Sequence, residues 1–250
     1  MKRDTAPSSV KLSGTQLNKL LSNAGVASRR KCADIIREGR VKVNGRVIIE
    51  PGYRVTERDT VTYNGKKLES KKKYYVLLNK PKDHLTTTSD DRGRKTVMEL
   101  IERATSERLY PVGRLDRNTT GVLLFTNDGE LAQKLSHLSG KVKKVYEVCL
   151  NKPLALEDME KVAKGIELED GIAQVDAIAY ADPKDNRIVG IELHSGKNRI
   201  VRRIFEHLGY DVVKLDRVLY AGLTKKNLQR GQWRHLTPKE INWLKRLRSS

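Results

Sequence analysis

Two Asn-Gly pairs, Asn44-Gly45 and Asn64-Gly65, each set between alternating apolar and polar residues, most narrow the folds open to this chain of 250 residues. A two-residue turn of that composition accepts positive φ at both positions and matches the twist of paired strands, so residues 41–47 and 61–68 are predicted as β-hairpins. Two helices should precede them. Leu17, Leu20, Leu21 and Ala24 recur on one helical face and end at Gly25, where a left-handed cap is expected. Ser28 is a suitable N-cap for a second helix that turns Cys32, Ile35 and Ile36 inward and stops at Gly39. Residues 16–69 thus read as one small domain. Residues 1–15, with Pro7, Gly14 and three serines among scattered charges, lack periodicity and are expected to form a disordered tail.

The chain carries 50 Lys and Arg against 31 Asp and Glu, a formal net charge of +19. Such an excess points to a polyanionic partner, held through phosphate neutralisation and counterion release. The charge is uneven: residues 16–73 hold 15 basic and 6 acidic side chains, residues 187–250 hold 15 and 5, and residues 151–186 hold 4 and 9. That acidic middle segment is expected to face away from the polyanion. Cys32 and Cys149 stand far apart, which excludes a disulfide framework or a CxxC zinc site and fits a reducing cytoplasm. No apolar leader opens the sequence, and nowhere do about 18 apolar residues run together, so no membrane association is expected.

Residues 70–73 read as a short charged linker, and a second domain is predicted over residues 74–250. Strand-like runs at 121–126, 145–150, 187–194 and 211–215 mix irregularly with helix-like runs at 96–103, 130–137 and 157–164. That order favours an α+β sheet over a doubly wound parallel one.

Candidate chemistry centres on residues 114–125, where Asp116 stands between Arg114 and Arg117 beside an apolar run. Opposite charges a few ångströms away stabilise a carboxylate, so Asp116 is either a nucleophile or a solvated acid at a strand end. The five histidines, at 84, 137, 194, 207 and 235, show no metal-binding spacing. In "GIELHSGK" (190–197) five residues rather than four separate the glycines and Asn198 follows the lysine, which disfavours a nucleotide-binding P-loop. Ile200, Val201, Ile204, Phe205 and Leu208 share one face of a predicted helix whose other face shows Arg199, Arg202, Arg203 and Glu206. Arg29, Arg30 and Lys31 crowd the first turn of the second helix. Exposed cations there cost roughly 0.3 to 1 kcal/mol each against the helix dipole, a repulsion that a bound phosphate would remove.

Residues 16–69, through "LNKLLSNAGVASRRKCADIIREGRVKVNG", resemble an S4 RNA-binding domain. That resemblance implies that Arg29, Arg30, Lys31, Arg37, Lys42 and Arg46 line a face gripping structured RNA by its backbone. The second domain, through "YYVLLNKP" (74–81), "YPVGRLDRNTTGVLLFTNDG" (110–129), "KKVYEV" (143–148) and "SGKNRIVRRIFEHLGYDVVKLDRV" (195–218), resembles the RNA pseudouridine synthases of the RsuA type. The resemblance implies a mixed, largely antiparallel sheet flanked by helices. It implies isomerisation of a specific uridine in ribosomal RNA, of the large subunit, to pseudouridine, without cofactor or metal. Asp116 would be the catalytic carboxylate, Tyr146 would lie beneath the flipped base, Arg202 would pair with Asp116, and Arg114 would fill the gap left in the RNA. Arg117, Lys197, Arg199 and Arg203 are expected on the RNA surface. The partner would be ribosomal RNA or a pre-ribosomal particle, engaged by a monomer in the cytoplasm. Ile200 and Lys197 depart from the family pattern, where glutamine and arginine are common, and this bears on target choice. The rival readings are a non-catalytic ribosome-assembly factor, a synthase acting on small-subunit RNA, and a metal-dependent nuclease.

Overall fold

The computed structural model describes residues 14–69, 72–138 and 141–247, and the chain divides into two compact units between Lys72 and Lys73. Residues 1–13 of the expected tail, and Ser70 and Lys71 of the expected linker, lie outside the described residues.

The first unit runs β1 (Thr15–Gln16), α1 (Leu17–Asn23), α2 (Arg29–Arg37), β2 (Val41–Val43), β3 (Arg46–Val47), β4 (Arg54–Val55), β5 (Val61–Tyr63) and β6 (Lys66–Lys67). Its local signals act as expected. The Ser28 side chain accepts the Lys31 N–H at 3.3 Å, and Asn44, Gly45, Asn64 and Gly65 all adopt positive φ, so each hairpin closes through a left-handed turn. The hairpins join through β2 and β5 into one sheet of order β3-β2-β5-β6. Leu17, Leu21, Cys32, Ile35 and Ile36 are buried against Val41, Val43, Val55 and Val61. Thr15, expected in the tail, pairs with Val55 in β1 and β4. A backbone pairing of this kind leaves no periodic trace in sequence.

The second unit runs β7 (Tyr75–Lys80), α3 (Val97–Ile101), β8 (Tyr110–Pro111), β9 (Thr119–Thr126), α4 (Gly129–His137), β10 (Lys144–Leu150), α5 (Leu156–Lys164), β11 (Ile166–Leu168), β12 (Gly171–Ala173), β13 (Ala177–Tyr180), β14 (Ile188–Leu193), α6 (Ile200–His207), β15 (Val212–Tyr220), β16 (Leu223–Thr224), β17 (Trp233–His235) and α7 (Pro238–Arg246). Its main sheet has the order β13-β14-β10-β15-β9-β7-β17. Of its pairings only β15 with β9 is parallel, so the fold is α+β with a mixed, largely antiparallel sheet. Every residue of β9 is buried, because both faces of the sheet are covered there. On one face Tyr75, Leu77, Val122 and Leu124 pack with Leu131, Leu135 and Leu244 of α4 and α7. On the other Val76, Leu78, Leu123 and Phe125 pack with Val97 and Ile101 of α3. Helix α6 buries Ile200, Val201, Ile204 and Phe205 against β10, β14 and β15, the face its periodicity predicts. Among the described residues no helix is long and apolar enough to cross a membrane.

Candidate active site

Asp116 lies in the loop 112–118 between β8 and β9, and the backbone of that loop is pinned from two sides. Lys80, at the end of β7, is fully buried, and its Nζ donates to the carbonyls of Pro81, Asp116 and Arg117 at 3.1 Å and of Thr119 at 2.9 Å. From the other side the Thr86 hydroxyl donates to Leu115 O at 2.7 Å and accepts the Leu115 N–H at 3.3 Å. The Leu115 side chain is itself buried. The result is a fixed backbone that leaves the Asp116 side chain exposed. Burial pushes the Lys80 ammonium down to about 8, aided by the charge of Arg230 and opposed by Asp116 and Asp83.

Asp116 and Tyr146 line one cavity of about 280 Å³, together with Arg114, Lys144 and Arg217. That volume lies just below the usual range of ligand pockets, roughly 300 to 1,000 Å³, and suits one planar ring. Tyr146 is half-buried on β10, directly across from Arg217 of β15, and cross-strand partners project to the same face. A register shift between Val145 and Tyr146 places an extra residue in β15. Arg217 and Tyr220, three apart, thereby share the cavity face, and the guanidinium lies 4.5 Å from the Tyr220 ring centroid. Re-aiming a side chain in this way is a common use of a bulge beside a site. Lys144 shares that face through the two-residue strand period. It is buried, donates to Val142 O at 3.0 Å and His194 O at 2.7 Å, and is pushed down to about 8 by burial and by Arg217.

Asp116 also borders a second, polar groove of about 610 Å³, which brings in Arg114, Arg117, Lys197 and Arg199. Arg114 and three of the expected RNA-surface residues, Arg117, Lys197 and Arg199, therefore line one groove with Asp116. Their freedom differs: Arg117 pairs with Asp83 at 3.3 Å, Arg199 with Glu206 at 3.2 Å, and Lys197 donates to Asp170 O at 2.7 Å. Arg203 lies outside both cavities and binds Asp170 through both terminal nitrogens, at 3.0 and 2.6 Å, holding that carboxyl down to about 2. The acidic segment expected to turn away from the basic face thus sends Asp170 back onto it. In the first unit Arg29, Arg30, Lys31, Arg37, Lys42 and Arg46 are all exposed. Arg29 hydrogen-bonds Gln16, and Arg37 pairs with Asp34 at 2.9 Å.

Arg202 departs from its expected contact. Its Nη1 donates to the Val212 carbonyl at 2.8 Å, and among the described residues no ion pair joins it to Asp116. The half-buried guanidinium feels Asp116 only as a longer-range attraction, while burial and Arg199 push its pKa down. Packing of α6 against β15 brings the guanidinium to the Val212 carbonyl rather than to the carboxylate.

Three residues of this site escape sequence reading: Lys80, Lys144 and Arg217. For Lys144 a signal existed, since it stands two residues before Tyr146 and so shares its strand face. Lys80 and Arg217 become visible only through contacts with distant segments.

The RNA pseudouridylate synthase family model matches residues 74–207, and the S4 domain model matches residues 16–61. The chain belongs to the RNA pseudouridylate synthase family and carries an S4 domain ahead of its synthase domain. It is 42% identical to the ribosomal large subunit pseudouridine synthase B of Bacillus subtilis strain 168, over 93% of this chain and 96% of that one. It is 36% identical to the protein of the same name from Vibrio cholerae, over 93% of this chain and 74% of that one. A crystal structure of a pseudouridylate synthase superposes with a TM-score of 0.66 at 26% identity, covering 92% of this chain and 99% of the other.

Proposed function

We propose that this pseudouridine synthase isomerises a specific uridine of large-subunit ribosomal RNA, with Asp116 as its catalytic carboxylate. The observation that carries the reading is the shared cavity of Asp116 and Tyr146 beside a groove lined by arginines. The substrate class follows the names of the relatives from Bacillus subtilis and Vibrio cholerae. A uridine stacked within folded RNA presents neither C1′ nor C5 to a carboxylate, so it must turn out of the helix, at a cost of a few kcal/mol. Stacking on Tyr146 would return roughly 1 to 3 kcal/mol. Arg114 lines both cavities, a position from which it can occupy the space the base vacates.

With the base in the cavity, Asp116 promotes cleavage of the N1–C1′ bond. The uracil turns, C5 bonds to C1′, and the proton lost from C5 is balanced by one gained at N1. Nothing is oxidised or reduced, so the chemistry asks for a nucleophile, a sheltered pocket and proton transfer. Arg202 supports the charge of Asp116 from a distance, and the exposed cations of the S4 unit hold an RNA stem by its phosphates. The test is Asp116→Asn, assayed by tritium release from ribosomal RNA labelled at uracil C5 and taken from cells lacking this protein. Loss of release with RNA affinity retained is the expected result. Undiminished release removes Asp116 from the reaction, and a protein that binds this RNA without modifying it is an assembly factor. Mapping pseudouridines in the same cells identifies the missing site.

A further inference from the structure

We propose that Arg217 grips a carbonyl oxygen of the flipped uracil through its Nη2, both before and after the ring turns, and so stabilises the detached base. This deepens the pseudouridine synthase reading above and rests on it. Arg217 is 3% exposed, and two of its three nitrogen positions face different surroundings. Its Nε donates to Val122 O at 2.9 Å. Its Nη2 is buried, with no hydrogen-bond partner among the described residues.

A buried charged donor without an acceptor is costly, and folded proteins leave few of them without a reason. Here the residue lines the cavity that holds Asp116 and Tyr146, so a ligand entering that cavity is a source of the missing acceptor. Among the described residues Asp116 is the sole acidic side chain lining that cavity, which Lys144 and Arg217 also border. The site therefore suits a planar ligand with carbonyl oxygens that gains negative charge during reaction.

Uracil matches this description at every stage. When the N1–C1′ bond breaks, its electron pair leaves with the base and the charge spreads over N1, O2 and O4. Half a turn about the axis through N3 and C6 carries C5 into the place of N1. The same turn exchanges O2 and O4, so one fixed donor meets a carbonyl oxygen in both orientations. The pair then forms the C5–C1′ bond, C5 releases its proton, and N1 ends protonated. One donor position serves both orientations, because the pseudosymmetry of the ring returns an acceptor to it. Such preorganised donors act where charge develops and need no rearrangement at the moment of reaction.

The position of Arg217 follows from the sheet. It stands opposite Tyr146 on β10 and opposite Gly121 on β9. The guanidinium is thus supported by the Val122 carbonyl and the Tyr220 ring, with Nη2 lacking a hydrogen-bond partner among the described residues.

The experiment compares wild type, Arg217→Gln, Arg217→Lys and Asp116→Asn in single-turnover tritium release from C5-labelled ribosomal RNA purified from cells lacking this protein. RNA affinity is measured in parallel. Arg217→Gln is expected to slow release on the order of 100-fold with affinity within about twofold of wild type, and Arg217→Lys to fall between the two. A folded Arg217→Gln releasing tritium at the wild-type rate overturns the proposal, as does a loss explained wholly by RNA affinity. A wild-type protein that releases none overturns the pseudouridine synthase reading as well. If Arg217→Gln does not fold, a crystal structure of the wild type with the RNA it modifies decides. Nη2 within about 3.2 Å of uracil O2 or O4 supports the proposal, and Nη2 bonded to protein instead overturns it.

Discussion

The ammonium of Lys80 lies 3.1 Å from the backbone carbonyl of Asp116, so a buried cation holds the main chain of a residue whose own side chain stays exposed. The same nitrogen also reaches the carbonyls of Pro81, Arg117 and Thr119. Four acceptors share three N–H groups, so Lys80 serves as a clamp across the loop 112–118. Removing it leaves buried carbonyls unpaired and frees the loop by a distance that matters to a reacting carboxylate.

Lys80→Met is therefore expected to lower tritium release on the order of 100-fold while RNA affinity stays within about twofold. A rate close to wild type would show that the loop keeps its shape without the clamp. Thr86→Val, which removes the opposing hydrogen bonds to Leu115, should have a smaller effect in the same assay.

The two buried lysines predict opposite pH trends in stability and activity. Lys80 and Lys144 are each pushed down to about 8 from an ordinary 10.5, chiefly by burial. Each holds its proton less tightly folded than unfolded, so the penalty for keeping it charged is in full force below pH 8. As pH rises from 8 to 10.5 the unfolded chain binds more protons than the folded one, and the contribution of these groups to stability increases. Activity should fall over that interval as the loop and cavity lose their cations. A rate profile that stays level to pH 10 would contradict this, and Lys144→Met should flatten part of the stability rise.

Gly121 permits the single parallel contact of the main sheet. Its φ is +107°, and a Cβ there would stand 2.2 Å from Arg217 O and 2.5 Å from Asp216 Oδ1. Gly121→Ala is expected to cost about 3 kcal/mol through strain and the forced separation of β9 from β15. That corresponds to a melting temperature lower by roughly 6 to 12 °C, read by thermal unfolding.

Arg30 and Lys31, exposed in the first turn of α2, should trade helix stability for RNA affinity. The pair Arg30→Ala and Lys31→Ala is expected to weaken binding and to reduce the salt slope of log Kd by about 2. The melting temperature should hold or rise slightly, because two cations leave the positive end of a helix. The rate at saturating RNA should not change. An unaltered salt slope would place the RNA elsewhere.

Much of the fold was legible because its signals are local. The Ser28 cap, the positive-φ Asn-Gly turns and the apolar spacing of α1, α2 and α6 each depend on residues within a turn or two of one another. The acidic hairpin of β11 and β12 and the helix α7 went unread, as did the pairing of β1 with β4. The first and last are short backbone ladders that impose little on side-chain pattern. Helix α7 did carry a signal, a capping box between Thr237 and Glu240 with Pro238 following the cap.

In the site, order along the chain is enough to set Asp116 between two arginines and to put Tyr146 on the strand face of Lys144. Tertiary structure alone decided what meets them. The parallel pairing of β15 with β9 and the register shift opposite Tyr146 bring Arg217 onto the cavity face, and the Val212 carbonyl takes a donor of Arg202. Propensity and periodicity act over a few residues, whereas strand register depends on the packing of segments far apart in the chain. The register therefore chose Arg217 as the partner of Tyr146.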